Sequence, residues 1–236
     1  MTVDAFSMPP RLVIAIDGPA ASGKSTTAAA VARALGVGHL DSGALYRGLT
    51  AVALDLADRS PDAIVRSAET RGLGFRESGG ELVPVLDGRP AEPKIRSAEV
   101  TALVSEVSAM PRLRQWVDAR LREAAGSGRP LVLEGRDIGT TVFPDAPVKV
   151  FLTATPEARA RRRLLQRGAA PSPADVAREA ALLAERDRRD STRPVAPLRR
   201  AEDAVLLDTS EMSFEEQVSE IVSLVRARLP RFGRPD

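Results

Sequence analysis

The run Gly18-Pro19-Ala20-Ala21-Ser22-Gly23-Lys24-Ser25-Thr26 sets a lysine and two hydroxyls directly behind a pair of spaced glycines. It satisfies the pattern G-x-x-x-x-G-K-S/T, in which backbone N–H groups point inward at a polyphosphate and glycines keep Cβ atoms out of its way. In that reading Lys24 reaches the β- and γ-phosphates and the Ser25 hydroxyl ligates Mg²⁺. The chain has only three lysines, Lys24, Lys94 and Lys149, and one of them falls on the required position.

A phosphate loop names a superfamily, so other residues must choose within it. The chain contains no asparagine, which excludes the N-K-x-D base reader of a GTPase and the catalytic loop of a protein kinase. Pro19 and Ala20 interrupt the G-x-G-x-x-G spacing of a dinucleotide site. With no cysteine and His39 as the one histidine, thiol nucleophiles, disulfides and Cys-ligated metals are excluded, and a Ser-His-Asp triad or His-based metal site nearly so. What remains is a small nucleotide or metabolite kinase, or a phosphate-loop ATPase coupled to something else. A non-enzymatic nucleotide switch is the competing class.

Arginines favour the kinase. Arg47 follows Asp41-Ser42-Gly43-Ala44-Leu45-Tyr46, Arg136 follows an apolar run, and Arg186, Arg188, Arg189 and Arg193 crowd one short region. Two phosphoryl groups face to face carry several negative charges, which planar guanidinium forks neutralise and orient. An acceptor phosphate, with a second pKa of about 6, is already mostly ionised at neutral pH. Such a transfer needs no general base, only positioning and charge neutralisation. Arg162 and Arg163 read as solvated helix surface, Tyr46 as a core aromatic and His39 as structural.

The elements that must position these groups follow from periodicity. Leu12 to Ile16 is a buried strand leading into the loop. Ala28, Val31, Ala32 and Leu35 then recur at helical spacing up to Gly36. Val37 to Leu40 reads as a strand and Ala44 to Leu56 as a helix, with Asp41 or Ser42 as its cap. Ser60-Pro61-Asp62 opens another helix that Gly72 ends. Leu73 to Arg76 and Glu81 to Leu86 flank Ser78-Gly79-Gly80 as a hairpin, and an apolar helical face at Val100, Leu103, Val104 and Val107 follows. Helices at Pro111 to Ala125, Thr155 to Gly168, Ser172 to Asp190 and Ser213 to Leu229 alternate with strands at Leu131 to Leu133, Val148 to Leu152 and Ala204 to Leu207. This alternation implies an α/β fold with a parallel sheet covered on both faces.

The balance of 34 Lys+Arg against 32 Asp+Glu, a formal charge of +2, implies no long cationic groove for nucleic acid. Neither a signal peptide nor a stretch long enough to cross a bilayer is legible. A soluble, cytoplasmic protein without membrane association is expected.

The motifs in their order resemble the bacterial cytidylate kinase family. Those that carry the resemblance are Ile16-Asp17-Gly18-Pro19, Leu40-Asp41-Ser42-Gly43-Ala44-Leu45-Tyr46-Arg47 and Glu134-Gly135-Arg136-Asp137-Ile138-Gly139-Thr140. Val142-Phe143-Pro144-Asp145-Ala146, Glu185-Arg186-Asp187-Arg188-Arg189-Asp190 and Ala196-Pro197-Leu198 complete it. The resemblance implies a phosphate-loop kinase core with a five-stranded parallel sheet flanked by helices. It also implies an inserted α+β monophosphate-binding domain at 68–107 and a short lid at 168–194. The core would comprise 11–67, 108–167 and 195–229, with flexible termini at 1–10 and 230–236. The implied reaction is ATP with CMP or dCMP giving ADP with CDP or dCDP, with Mg²⁺, by a monomer. Carried over position by position, Gly18, Pro19, Ala20, Ala21, Ser22, Gly23, Lys24, Ser25 and Thr26 hold ATP, with Ser25 on the metal. Ser42, Arg47, Ser105, Arg114, Arg136, Asp137, Arg186, Asp190 and Arg193 line the CMP site. Lys24, Arg136, Arg186 and Arg189 act on the transferring phosphoryl group. Asp137 is expected either to accept from the cytosine amino group or to support phosphate and metal.

Overall fold

The apolar run expected to open the fold lies at its centre. In the computed structural model, which describes residues 12–78, 81–168 and 170–229, β1 (Val13–Asp17) is buried along its whole length. The hairpin turn at Gly79-Gly80 and the expected flexible termini lie outside the described residues. From β1 the chain passes through the loop into α1 (Lys24–Leu35), then β2 (Gly38–Asp41) and α2 (Ser42–Leu54). Next come α3 (Pro61–Thr70), β3 (Gly74–Ser78), β4 (Glu81–Leu86) and β5 (Arg89–Pro90), followed by the short α4 (Glu92–Ile95), α5 (Ala98–Val107) and α6 (Pro111–Ala125). The chain continues with β6 (Leu131–Gly135), β7 (Val148–Thr153), α7 (Pro156–Gln166), α8 (Pro173–Thr192), β8 (Val205–Asp208) and α9 (Phe214–Arg228).

Five strands pair in parallel in the order β2-β6-β1-β7-β8. Strands with neighbours on both edges and helices on both faces are buried along their length, as β1 and β6 are, and both are aliphatic up to the charges near their carboxyl ends, Asp17 and Glu134. One face packs on α1 and α9 through Ile14, Ile16, Val31, Val150 and Val222. The other packs on α2, whose Leu45, Leu49 and Val52 join Leu40, Leu133 and the helices α3, α5 and α6 in the larger core. Helix α2 is buried at ten positions because it is sandwiched, which is why its sequence is apolar almost all round. The strands β3-β4-β5 form a separate antiparallel sheet.

The order puts the carboxyl ends of β1, β2 and β6 side by side, and the loop, Ser42 and Glu134 emerge there together. The sequence pattern missed the short β5 and α4, and a third element that belongs to the site. After β6 the backbone makes a π-helical turn at Ile138–Val142, and wide turns of this kind are frequent at functional sites. It is held by buried Asp17, whose two oxygens accept the N–H groups of Ile138 and Gly139 at 2.9 and 2.7 Å. No hydrophobic period announces such a turn, since its partner is a side chain 121 residues away.

Candidate active site

The loop takes its shape from two glycines. Gly18 has φ 153°, and a Cβ there would lie 2.0 Å from the Leu152 carbonyl oxygen of β7. Gly23 is left-handed at φ 89° and immediately precedes α1, so the loop ends on a helix N-terminus with free N–H groups. Lys24 folds back over the loop, its Nζ donating to the Pro19 carbonyl at 2.7 Å and to Ser22 Oγ at 3.4 Å. Burial, then the nearby Arg136, lowers its ammonium to about 7.

Ser25 Oγ donates to Glu134 Oε2 at 2.8 Å, and the other oxygen of that carboxylate meets His39 Nε2 at 3.1 Å. Burial pushes Glu134 up, but the His39 contact and the neighbouring Lys24 and Ser25 hold it below the ordinary glutamate value. Glu134 is therefore the acid at the end of a buried strand beside the loop. Asp137, for which that position was an open alternative, lies elsewhere. It bridges two buried guanidinium groups, accepting from Arg114 Nη2 on one oxygen and from Arg193 Nη2 at 3.3 Å on the other. Arg114 sits over the Tyr46 ring at 5.2 Å from its centroid, and burial raises the Tyr46 hydroxyl well above the usual range. Tyr46 is thus buried as expected, and it also floors this end of the site.

Between these two groups runs one cleft of about 570 Å³. Of the residues singled out in the sequence, it brings together Ala20 to Thr26, Ser42, Arg47, Arg114, Arg136, Asp137, Arg186, Asp190 and Arg193. Ser42 is fixed by donating to the Glu134 carbonyl at 2.7 Å. Arg136 donates to Asp190 Oδ2 at 3.2 Å, and Arg47 donates to Thr101 Oγ1 at 3.1 Å. Arg186 Nε is buried without a hydrogen-bond partner. Burial first, then neighbouring arginines, lowers Arg47 and Arg186 to about 10 each, a crowding of positive charge that an anion would relieve.

Gly18 and Pro19, at the start of the loop, fall outside the cleft. Ser105 and Arg189 also fall outside it and line an adjoining cavity of about 600 Å³ between α5 and α8; there Arg189 Nε donates to Glu185 at 2.8 Å. The serine that lines the main cleft is Ser108, which caps the end of α5. The reading of Arg162 and Arg163 as free helix surface is overturned. Both line the cleft, Arg162 donating to the Thr209 hydroxyl at 3.0 Å and to its carbonyl, and Arg163 pairing with Glu179 at 3.0 Å. Their partners lie on other elements, so the polar face of α7 looked solvated in the sequence although it is packed. Sequence reasoning also passed over Glu134, which lines the cleft, and over Asp17, which holds the turn behind it. A charge ending a run of buried aliphatic residues was the available signal for Asp17 and Glu134.

A cleft with a phosphate loop on one wall and converging guanidinium groups on the other suits two anionic substrates meeting end to end. Residues 14–227 match the family model described as cytidylate kinase. The chain is 44% identical over 223 residues to a cytidylate kinase of Mycobacterium avium (strain 104), covering 92% of this chain and 96% of that one. A cytidylate kinase of Rhodococcus opacus (strain B4) is 44% identical over 224 residues, with the same shares. Among solved structures, an uncharacterized protein from Eubacterium ventriosum ATCC 27560 superposes with a TM-score of 0.51 at 11% identity, covering 92% of this chain and 99% of that one. That last likeness is one of fold alone.

Proposed function

The chain belongs to the cytidylate kinase family, and from that premise we propose that it transfers the γ-phosphoryl group of ATP to CMP or dCMP, giving ADP and CDP or dCDP. The observation that carries this reading is the single cleft in which Lys24 and Ser25 face Arg47, Arg136 and Arg186. ATP would lie on the loop from Gly18 to Thr26, with Lys24 regaining full charge against its phosphates. The acceptor phosphate would be held by Arg47, Arg136 and Arg186. Being ionised already, it requires no base.

The cytosine edge offers an amino donor at N4 and acceptors at N3 and O2. Asp137 faces the first and Arg114 the others, with Arg193 bracing Asp137 and Asp190 holding Arg136. An ionised carboxylate has about four lone-pair sites; two are taken by the arginines, so Asp137 can still accept from N4. Ser105 and Arg189, on the adjoining cavity, reach the nucleotides when its walls close, with 168–194 as the lid over the insertion at 68–107.

Among the described residues no cluster of His, Cys, Asp or Glu could hold a metal ion unaided. The donor set nevertheless fits Mg²⁺, which binds through one or two oxygen ligands of the protein plus substrate phosphates and water. Ser25 and Glu134 present hard oxygens on one spot and would hold it. When bound, the ion neutralises charge on the transferring phosphoryl group. No helix of the described residues is long and apolar enough to cross a membrane; a cytoplasmic monomer is part of the proposal. ADP release measured against a panel of acceptors tests it. CMP and dCMP should accelerate release far above UMP, shikimate or gluconate, and equal rates with every acceptor or with none would overturn the assignment.

A further inference from the structure

Ala20, at the front of the phosphate loop, has both of its backbone groups taken by side chains from two distant helices. Its N–H donates to Asp187 Oδ1 on α8 at 2.9 Å, and its carbonyl accepts from Arg159 Nη1 on α7 at 2.9 Å. The same Nη1 donates to Asp187 Oδ2 at 2.5 Å, which closes the ring, while Arg159 Nε holds the Ala154 carbonyl at 3.1 Å. The pair is nearly dry, with side chains 6% and 16% exposed. Beneath it Ala20 and Ala21 pack on Ala160, Leu164, Val176, Ala180 and Leu183 of the two helices.

A salt bridge that merely joined α7 to α8 would have no need of a peptide group from the loop. Here the loop's own N–H, of the kind that a phosphate loop offers to anions, is given to a carboxylate on α8. Asp187 directly follows Arg186 and lies one helical turn from Asp190, whose carboxylate accepts from Arg136. Any shift of Ala20 must therefore move the segment that carries Arg186, or else break a charge-assisted ring in a low-dielectric setting, where such bonds are strong.

We infer that Arg159 and Asp187 are positioning residues for the transfer, clasping the phosphate loop to α8 so that a polyphosphate on the loop fixes where Arg186 stands. The inference rests on the proposal that this loop holds ATP, and it needs neither CMP nor any other acceptor. It makes the segment at 185–190 respond to the donor nucleotide alone. Filling the acceptor site is not required.

The test is hydrogen exchange on the full chain with the β,γ-imido analogue of ATP and Mg²⁺, without acceptor. In the wild type the loop at 18–26 and the segment at 185–190 should both slow, the latter by at least about fivefold, the lower end of ordinary site-to-site coupling. In Asp187→Ala and in Arg159→Met the loop should still slow while 185–190 no longer responds. Asp187→Asn, which keeps an acceptor for the Ala20 N–H, should retain part of the response. In the two disruptive variants KM for ATP should rise together with a fall in kcat.

No response at 185–190 in the wild type, or an unchanged response in the variants, would overturn the inference and leave the pair as a brace of the fold. Should Asp187→Ala not fold, the wild-type result and Asp187→Asn decide. Failure of the proposed function has a different mark: the analogue protects the loop, yet ATP passes no phosphoryl group to CMP. Absence of protection at 18–26 would sink both.

Discussion

Replacing Asp137 separates base reading from the upkeep of the site, provided that the right substitution is chosen. Its carboxylate is shared by Arg114 and Arg193, and all three side chains are at most 6% exposed. Removing one partner of a buried ion pair costs about 3–5 kcal/mol, because the other charge is left uncompensated. Asp137→Ala strands two guanidinium groups at once, a loss that would consume much of a typical stability of about 5–15 kcal/mol. Its kinetics would therefore report damage to the fold as much as recognition. Asp137→Asn keeps the shape and one acceptor oxygen, so although it too removes the charge between the arginines it should lower stability by less than Asp137→Ala. At the base edge the amide can still turn either an oxygen or an NH₂ toward the ligand, so the built-in mismatch with the uracil O4 disappears. The CMP:UMP ratio of kcat/KM should then fall by roughly tenfold or more. The assay is coupled ADP release with each acceptor, alongside urea unfolding of the same preparation. If Asp137→Asn loses the expected stability but leaves the ratio unchanged, Asp137 braces the arginines and does not read the base.

Lys24→Ala should lower kcat by roughly 10²–10³ or more with the fold intact, since no second lysine is near to replace it; near-normal turnover would contradict its place on the phosphates. Arg47→Ala, on the phosphate side, should weaken CMP and UMP alike, and a change in their ratio would move Arg47 to the base. Burial raises Asp17 to about 6 despite the N–H groups of Gly139 and Ile138 that it accepts. A raised carboxyl binds its proton more tightly when folded, so stability should fall by about 3 kcal/mol as pH climbs from roughly 4 to 6. Asp17→Asn should remove that part of the slope in urea unfolding, and an identical slope would refute the assignment. Gly18→Ala, meeting the Leu152 carbonyl, should destabilise by about 2–5 kcal/mol, and a neutral effect on the unfolding midpoint would show that the loop can yield.

The five strands and the helices between them were legible because each repeats a period that burial enforces. Val13 to Ile16 is apolar on both faces since it lies mid-sheet, and the Ser172 and Ser213 capping boxes announce α8 and α9. Helix ends moved by a residue or two where caps are ambiguous. Asp41 precedes α2 without a side-chain capping bond and turns instead to Arg96 at 3.3 Å. The phosphate loop could be read because its chemistry is local. What could not be read depends on partners remote in sequence. Glu134 gains its meaning from Ser25, 109 residues away, and Arg162 from Thr209, 47 residues on. Ser105 lies in the last turn of α5 and Ser108 caps its end three residues on, and only packing decides which of them lines the main cleft.

The central claim is that one cleft passes a phosphoryl group between two bound nucleotides. Following γ-³²P from labelled ATP with CMP in excess tests it most directly. The account predicts label in CDP, appearing in step with ADP, with little in inorganic phosphate. Label accumulating as inorganic phosphate at a rate indifferent to CMP would contradict it and make the protein a nucleotide hydrolase or switch.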